Sequence, residues 1–436
     1  MNVMRELGVG LLGCGTVGTG VIRLLNDAGL AERVGAALSV RAVVVRDLER
    51  DRDPVVPVDC LTDDLHRVID APDIDIVVEV MGGIDPAHGA IEKALSNGKQ
   101  VVTANKALLA LHGDSLFALA QKNSADLLFE ASAAGGVPVV RALRESLASD
   151  RVVSIHGIIN GTSNYVLTRM ETLGESLDDA VTKAQEAGYA EADPSFDVGG
   201  QDAAQKLQVL SALAFGLSMS TEVQRVQGID SIQPADFTHA ASFGYRIKPL
   251  AVARGGENAV ESWVGPALVP MNHVLAGVND VFNACYLKSE AVGPLLFYGQ
   301  GAGMMPTAMS VVSDVIEAGR KLAAGAPGGS LPAVQSEAVA DSSSSEPQSV
   351  QEQPWYLRLC CRDQPGVLGR VAATLGGHGV SINKLVQKNA ADASSAEVVI
   401  LTHVAGTDSV RAAVAEIDNT ADTTQPTLIM PVEDPA

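Results

Sequence analysis

Over its first third the chain alternates between two hydrophobic periods. Residues 8–13 (GVGLLG) form a short apolar run without polar interruption, the pattern of a strand buried on both faces. Residues 39–46 (SVRAVVVR), 74–80 (IDIVVEV) and 100–103 (QVVT) repeat that texture. Stretches with helical spacing lie between them, one running on from residue 16 (TVGTGVIRLLNDA) and one at 86–97. Strands and helices alternating at this interval predict parallel βαβ units, and so an α/β domain with a doubly wound parallel sheet over residues 1–130.

From 131 to 320 the texture changes. An apolar strand at 152–159 (VVSIHGII) stands beside long helical patterns at 176–188 and 199–216, which predicts an α+β domain. Residues 321–353 are rich in Ala, Ser, Pro, Gly and Gln. Such a segment buries too little apolar surface to order itself and reads as a flexible linker. Order resumes over 354–436. A strand (355–362, WYLRLCCR), a DQPG turn, a helix (VLGRVAATLGGHG) and a strand (VSINKLVQK) are followed by a strand at 395–404, a helix at 408–418 and a last strand at 426–431. This βαββαβ order predicts a small ferredoxin-like domain.

At 436 residues the chain exceeds what one core usually serves, and 47% apolar residues suffice for several. A net charge of −21 argues against nucleic acid or anionic lipid as a partner, and no apolar run approaches the length of a membrane span. Five cysteines at irregular spacing, with no Cys/His metal pattern, imply a reducing cytoplasmic setting without structural disulfides.

The strand-to-helix junction after residue 12 reads Gly13-Cys14-Gly15-Thr16-Val17-Gly18. In a GxGxxG at this place the first glycine permits the turn, the second lets a pyrophosphate approach the backbone, and the third lets helix and strand pack closely. The free N–H groups around Thr16 and Val17 at the helix start would face the phosphates. The motif alone is weak, since an ordinary Gly-rich turn has the same composition; its position between strand and helix makes it a dinucleotide site of Rossmann type. The second strand ends in Val45-Arg46-Asp47. An acidic residue here suits the ribose hydroxyls of NAD and an arginine the 2′-phosphate of NADP. Arg46 stands first, so the reading leans to NADP, with NAD as the alternative.

Residues 79–110 (EVMGGIDPAHGAIEKALSNGKQVVTANKALLA) resemble the homoserine dehydrogenase family around its TANK motif. The resemblance continues through FEASAAGGVPVVRAL (129–143), GIINGTSNYVLTRM (157–170), GYAEADPSFDVGGQDAAQKL (188–207) and YGQGAGMMPTA (298–308). Residues 362–385 (RDQPGVLGRVAATLGGHGVSINKL) resemble an ACT domain, an amino-acid-sensing module. The order resembles the bacterial monofunctional members of the family. It implies a Rossmann domain, a catalytic and dimerisation domain, and a regulatory ACT domain.

The implied reaction is reversible reduction of L-aspartate 4-semialdehyde to L-homoserine with NAD(P)H. Lys206 follows Asp202 by four residues on a predicted helix, so both face one side. Alone such a pair is usually a surface ion pair worth a few tenths of a kcal/mol. The resemblance makes Lys206 the proton donor and Lys106, after Thr103 at a strand's C-terminal edge, a second active-site lysine. It also implies Glu191 and Asp202 as substrate ligands, with Asp197 in support. Gly188, Gly301 and Gly303 would allow close approach of the cofactor. Glu130 and the carbonyls of Ala133, Gly135 and Val137 would form a sodium site, since hard cations prefer oxygen. In the ACT domain, Asp363, Gly366 and Asn383 would hold an effector, expected to be threonine. Edge-to-edge pairing of ACT modules predicts a homo-oligomer, dimer or tetramer. Two other readings stand beside this one: an amino-acid-sensing protein with a retired catalytic site, and a dehydrogenase for another amino-acid semialdehyde.

Overall fold

The computed structural model describes residues 5–256, 259–326, 328, 352–389 and 395–435. The first sheet carries β1 (Glu6–Leu12), β2 (Ala37–Val44), β3 (Leu61–Thr62), β4 (Ile76–Glu79), β5 (Gln100–Thr103) and β6 (Leu127–Leu128). Every pairing is parallel, in the order β3-β2-β1-β4-β5-β6. Strand order reverses between β1 and β4, which opens a crevice at the C-terminal ends of the strands, the usual ligand position in such sheets. The uninterrupted apolar runs are explained by cover on both faces. Leu7, Val9, Leu11, Ile76 and Val78 point toward helices Thr16–Leu25 and Met304–Ala323. Leu12, Val77, Val101 and Leu127 point toward helices Ala87–Ser96 and Lys106–Lys122.

Helix Met304–Ala323 therefore packs on the first domain although it follows the second in sequence. A methyl group at Gly20 would lie 2.9 Å from the Ala308 Cβ, so the two helices approach closely only because Gly20 has no side chain. The helix also runs past the boundary expected at 320. Residues 327 and 329–351 of the expected linker lie outside the described residues, while its last two residues form strand β13 (Glu352–Gln353).

The second sheet is built from β7 (Val152–Ile158), β8 (Arg225–Val226), β9 (Tyr245–Gly255), β10 (Val260–Pro270), β11 (Phe282–Ser289) and β12 (Gly293–Gln300). Its order is β12-β11-β7-β9-β10-β8, antiparallel except between β8 and β10. Helix Gln201–Phe215 lies on one face, where Leu207 and Leu210 meet Ile155, Ala251 and Leu287. The same apolar cluster runs into helix Lys106–Lys122 of the first domain, so the two domains share a core.

In the third domain β14 (Trp355–Arg362), β15 (Ile382–Asn389), β16 (Ser395–Thr402) and β18 (Thr423–Pro431) form an antiparallel sheet in the order β15-β16-β14-β18, with β17 (Ala405–Gly406) pairing β13. Helices Val367–Gly377 and Thr407–Asp418 cover one face, against Trp355, Leu357 and Leu359. The alternate residues of β14 turn the other way. Tyr356, with Leu428, Met430 and Val432, packs against Val166, Phe237 and Leu268 of the second domain. Within that seam the Tyr356 hydroxyl and the Arg358 Nε each donate to Asp236 Oδ1 at 2.7 Å. Asp236 is fully buried and its other oxygen caps its own helix, accepting from the Gln233 N–H.

Burying the Arg358 charge is tolerable only with Asp236 beside it. Asp236→Ala is expected to lower stability by about 3–5 kcal/mol, because an unpaired guanidinium would remain in the seam. Urea unfolding would read the loss, and a midpoint equal to that of the native chain would contradict it.

Candidate active site

Four parts of the chain meet at the C-terminal ends of β4 and β5. The Glu79 carboxylate, fully buried at the end of β4, accepts the Thr103 hydroxyl at 2.6 Å and the N–H groups of Met81 and Gly82 at 2.8 and 3.2 Å. Thr103 in turn accepts the Asn105 N–H, and Asn105 caps helix Lys106–Lys122 while donating to the Gly83 carbonyl at 2.6 Å. This chain of bonds fixes the turn that launches Lys106. A lysine in the first turn of a helix faces the positive end of the helix dipole, so Lys106 needs an anion. It has one: its Nζ lies 3.1 Å from Asp202 Oδ1.

Asp202 enters from the first turn of helix Gln201–Phe215 and is 7% exposed. Its other oxygen accepts from Lys206 Nζ at 2.7 Å and from Asn160 Nδ2 at 2.8 Å. Burial alone would raise this carboxyl; the ammonium groups of Lys206 and Lys106 outweigh that and hold it down at about 2. Lys206 also donates to the Ile159 carbonyl at 2.9 Å. An ammonium has three N–H groups, so Lys206 keeps one for another acceptor.

Asn160 follows the end of β7 and caps helix Gly161–Leu173 through the Ser163 N–H. Its amide bridges Asp202 to Asp197 Oδ1, at 2.7 Å. Burial raises the Asp197 carboxyl, Asp202 adds to the rise, and the Asn160 bond opposes it. Glu191 lies exposed on the loop after helix Leu177–Glu186, and its carboxylate has no bond to the lysine–aspartate group among the described residues. Gly188, at φ +76°, begins that loop.

At the glycine turn, Gly13 has φ +102°, and a methyl group there would meet the Val80 carbonyl oxygen at 2.9 Å. A methyl at Gly18 would lie 2.6 Å from the Gly13 carbonyl oxygen, so the third glycine lets helix approach strand. At Gly15 a methyl would touch nothing within 4 Å; this is the open cradle a pyrophosphate needs, with Thr16 and Val17 as the first helical residues. Arg46 is exposed just beyond β2 and forms no ion pair among the described residues. Asp47 turns instead to its own loop, accepting from the N–H groups of Glu49 and Arg50.

The loop from Glu130 to Val137 is locked from behind. Glu130 accepts from the Val140 and Arg141 N–H groups, and its own N–H donates to buried Asp314. Burial pushes the Glu130 carboxyl up against those bonds and the nearby Arg141 and Arg144. Ala134 and Gly135 both adopt positive φ. The Gly135 carbonyl accepts the Ser310 hydroxyl at 2.7 Å, and the Gly136 N–H donates to Gln300 O at 3.1 Å. A methyl at Gly135 would lie 2.1 Å from the Gly301 carbonyl oxygen, and one at Gly301 would overlap the Asn283 amide. Gly135 thus allows the loop to approach Gly301, Gly301 in turn leaves room for the Asn283 side chain, and Gly303, at φ +123°, precedes helix Met304–Ala323.

Residues 138–316 match the family described as homoserine dehydrogenase, and residues 13–130 match the NAD-binding domain of homoserine dehydrogenase. The chain belongs to the homoserine dehydrogenase family. It is an oxidoreductase acting on CH–OH groups, and residues 355–422 match the ACT domain. The homoserine dehydrogenase of Neisseria gonorrhoeae is 40% identical over 417 residues, covering 95% of this chain and 96% of that one. That of Pseudomonas aeruginosa is 39% identical over 436 residues, with 99% of each covered. A solved homoserine dehydrogenase from Thiobacillus denitrificans superposes at TM-score 0.91 with 40% identity over 99% of both chains. A hyperthermophilic archaeal homoserine dehydrogenase in complex with NADPH gives TM-score 0.61 at 25% identity, over 72% of this chain and 98% of that one.

Its two lysines hold the Asp202 carboxyl below its ordinary range. Its folded value of about 2 lies below the ordinary unfolded value of about 3.9, so its contribution is complete above that value and is lost as pH falls toward 2. The stability gap between the native chain and Asp202→Asn is therefore expected to narrow by on the order of 2 kcal/mol from pH 5 toward pH 2. Unfolding followed against pH measures it, and a constant gap would mean that Asp202 is not held ionised by its lysines.

Proposed function

We propose that this chain reduces L-aspartate 4-semialdehyde to L-homoserine with NADPH, reversibly, with the proton delivered by Lys206. The observation that carries this is the buried Asp202 gripped by two ammonium groups, one of them Lys106 from just beyond the C-terminal end of β5. The lysine ammonium groups favour an oxygen gaining negative charge. The remaining N–H of Lys206 donates to the aldehyde oxygen and its proton completes the alcohol. Lys106, set by Thr103 and Asn105, holds Asp202 and faces the substrate from the other domain. Asp202, Asp197 and exposed Glu191 supply the anionic surroundings that an α-ammonium group requires.

The bound nicotinamide would supply the hydride to the aldehyde carbon. Gly13, Gly15, Thr16, Val17 and Gly18 fit its pyrophosphate, Thr103 closes β5 at the crevice end of the sheet, and Gly188 is assigned to the nicotinamide side by its motif. Arg46 favours NADPH over NADH, since it is unpaired among the described residues while Asp47 is engaged by its own loop; the archaeal relative bound to NADPH agrees with that reading. The carbonyls of Ala133, Gly135 and Val137, with Glu130, suit sodium, because a carbonyl or carboxylate oxygen already bonded keeps a second lone pair.

The ACT domain is read as a threonine sensor. Gly366 starts helix Val367–Gly377 at φ +90° with Asp363 exposed beside it, whereas Asn383, exposed at the start of β15, lies at the opposite end of the sheet by strand register. The free edge of β15 offers the surface for pairing two copies into a homo-oligomer. A cytoplasmic, reducing setting agrees with five free cysteines.

Lys206→Ala is expected to lower kcat by about 10²–10⁴-fold while NADPH still binds. Cofactor oxidation with aspartate semialdehyde reads it, against a panel of other semialdehydes. More than about a tenth of native kcat would remove Lys206 from the proton role. Arg46→Ala is expected to weaken NADPH by about 1.5–3 kcal/mol and leave NADH nearly unchanged. Equal losses in the two Kd values would mean that Arg46 does not read the phosphate.

A further inference from the structure

The ACT domain and the second domain do not close fully on one another. A cavity of about 450 Å³ opens between them, walled by Gln227, Ser231 and Gln233 on one side and by Arg358, Arg411 and residues 425–429 on the other. A smaller recess shares Gln227, Arg411 and Ile429 and continues to Arg225, Trp263 and Trp355. The larger volume lies within the range of small-molecule sites.

The chemistry of these walls is one-sided. Three guanidinium groups line them, and no carboxylate does among the described residues. Arg358 is held by Asp236 and Arg225 by Glu261, the latter at 3.2 Å. Arg411, exposed on helix Thr407–Asp418, has no ion pair among the described residues. Burial lowers the Arg225 guanidinium from its ordinary value; Glu261 and Asp408 oppose that shift and Arg411 adds to it. So two like charges face each other in a chain whose net charge is −21.

A second observation is independent of charge. Trp263 is 4% exposed, lines the recess, and its indole N–H has no acceptor among the described residues. Trp355, across the same recess, gives its indole N–H to the Ala405 carbonyl at 2.9 Å. Buried donors are nearly always paired, and the recess beside this one holds about 40 Å³, room for a water rather than a metabolite. The Gln233 and Gln425 side chains add neutral donors.

We infer that this cavity binds a small metabolite bearing an oxyanion, a carboxylate or a phosphate, through Arg411 and Arg358 between the two domains. Guanidinium groups match both kinds of oxyanion in the same forked way. Because the walls come from two domains, the anion binds their docked arrangement and stabilises it by mass action. The site is distinct from the loop at Asp363 and Gly366, neither of which lines it.

Titration calorimetry and thermal unfolding of the full chain test this, with inorganic phosphate, succinate and L-threonine as probes. At least one probe is expected to bind saturably and raise Tm, with affinity about tenfold or more weaker in Arg411→Gln, the loss expected for a charge-assisted bond. Arg151→Gln, at an exposed arginine before β7 that lines neither cavity, is expected to bind as the native chain does. Phosphate binding alone assigns a phosphorylated ligand, and succinate or threonine binding a carboxylate. Basal activity is expected to be the same in Arg411→Gln, since that residue lies outside the catalytic machinery. Absence of saturable binding by all three probes at millimolar concentration overturns the proposal, as does binding that Arg411→Gln leaves unchanged.

Discussion

The arrangement depends on one buried carboxylate that two domains must neutralise together. Asp202 receives Lys206 from its own helix, Lys106 from the nucleotide-binding domain and Asn160 from the end of β7. An ionised carboxylate with so little exposure is costly unless paired and hydrogen-bonded. The domains can therefore part at this point only by leaving charges without partners. The shared apolar cluster between helices Lys106–Lys122 and Gln201–Phe215 holds the same closure from the non-polar side. Together they set the distance between the cofactor crevice and the lysine that faces it.

How much of this was legible in the chain follows from where each signal resides. The parallel strands were readable because burial on both faces writes itself as an apolar run. β5 (QVVT) has the bounds read from sequence, and helix 199–216 is seen as Gln201–Phe215. Helix Gly161–Leu173 carries no such signal, because Thr162, Ser163, Asn164 and Thr168 lie on its buried side; the first three donate to carbonyls of distant segments and Thr168 to the Asn164 carbonyl of its own helix. Lys106, Asp202 and Lys206 were found by family motif, since their spacing alone suits a surface pair. Glu79 and Asn160 were missed as functional residues. Their only mark is a polar residue closing an apolar strand, and their partners come from distant segments.

The third domain carries a related lesson about strands. WYLRLCCR lacks clean alternation because both faces of β14 are covered, Leu357 and Leu359 by the domain's own helices and Tyr356 by the second domain. A linker-joined module was expected, and the linker's composition says nothing of how firmly the module docks. What decides docking is the apolar seam of Tyr356, Leu428 and Met430 and the buried Arg358–Asp236 pair within it. Removing the ACT domain would strip that seam and expose the Asp236 helix. Activity of a truncated chain would then mix lost regulation with lost packing.

A physical route between the two ends of the molecule is present in the backbone. After β18 the chain reaches back into the second domain, where the Glu433 N–H donates to the Leu268 carbonyl at 2.8 Å. The Glu433 carboxylate meets Arg254, and its Oε1 lies 3.2 Å from His156 Nε2. Burial, with Arg254 beside it, pushes the His156 imidazole well below its ordinary value, so the ring sits neutral in that group. His156 belongs to β7, and three residues further the Ile159 carbonyl holds Lys206, followed by Asn160, which holds Asp202. One strand thus touches the ACT tail at one point and carries the lysine's acceptor near its end. Contiguity of this kind does not by itself make a switch; coupling requires an element with two arrangements that both sites bias. The candidate element is the docking seam, because its cavity side is lined with cations while its core is apolar. A ligand that changed how the domains meet there would reach His156 through Glu433, and along β7 the carbonyl that accepts from Lys206.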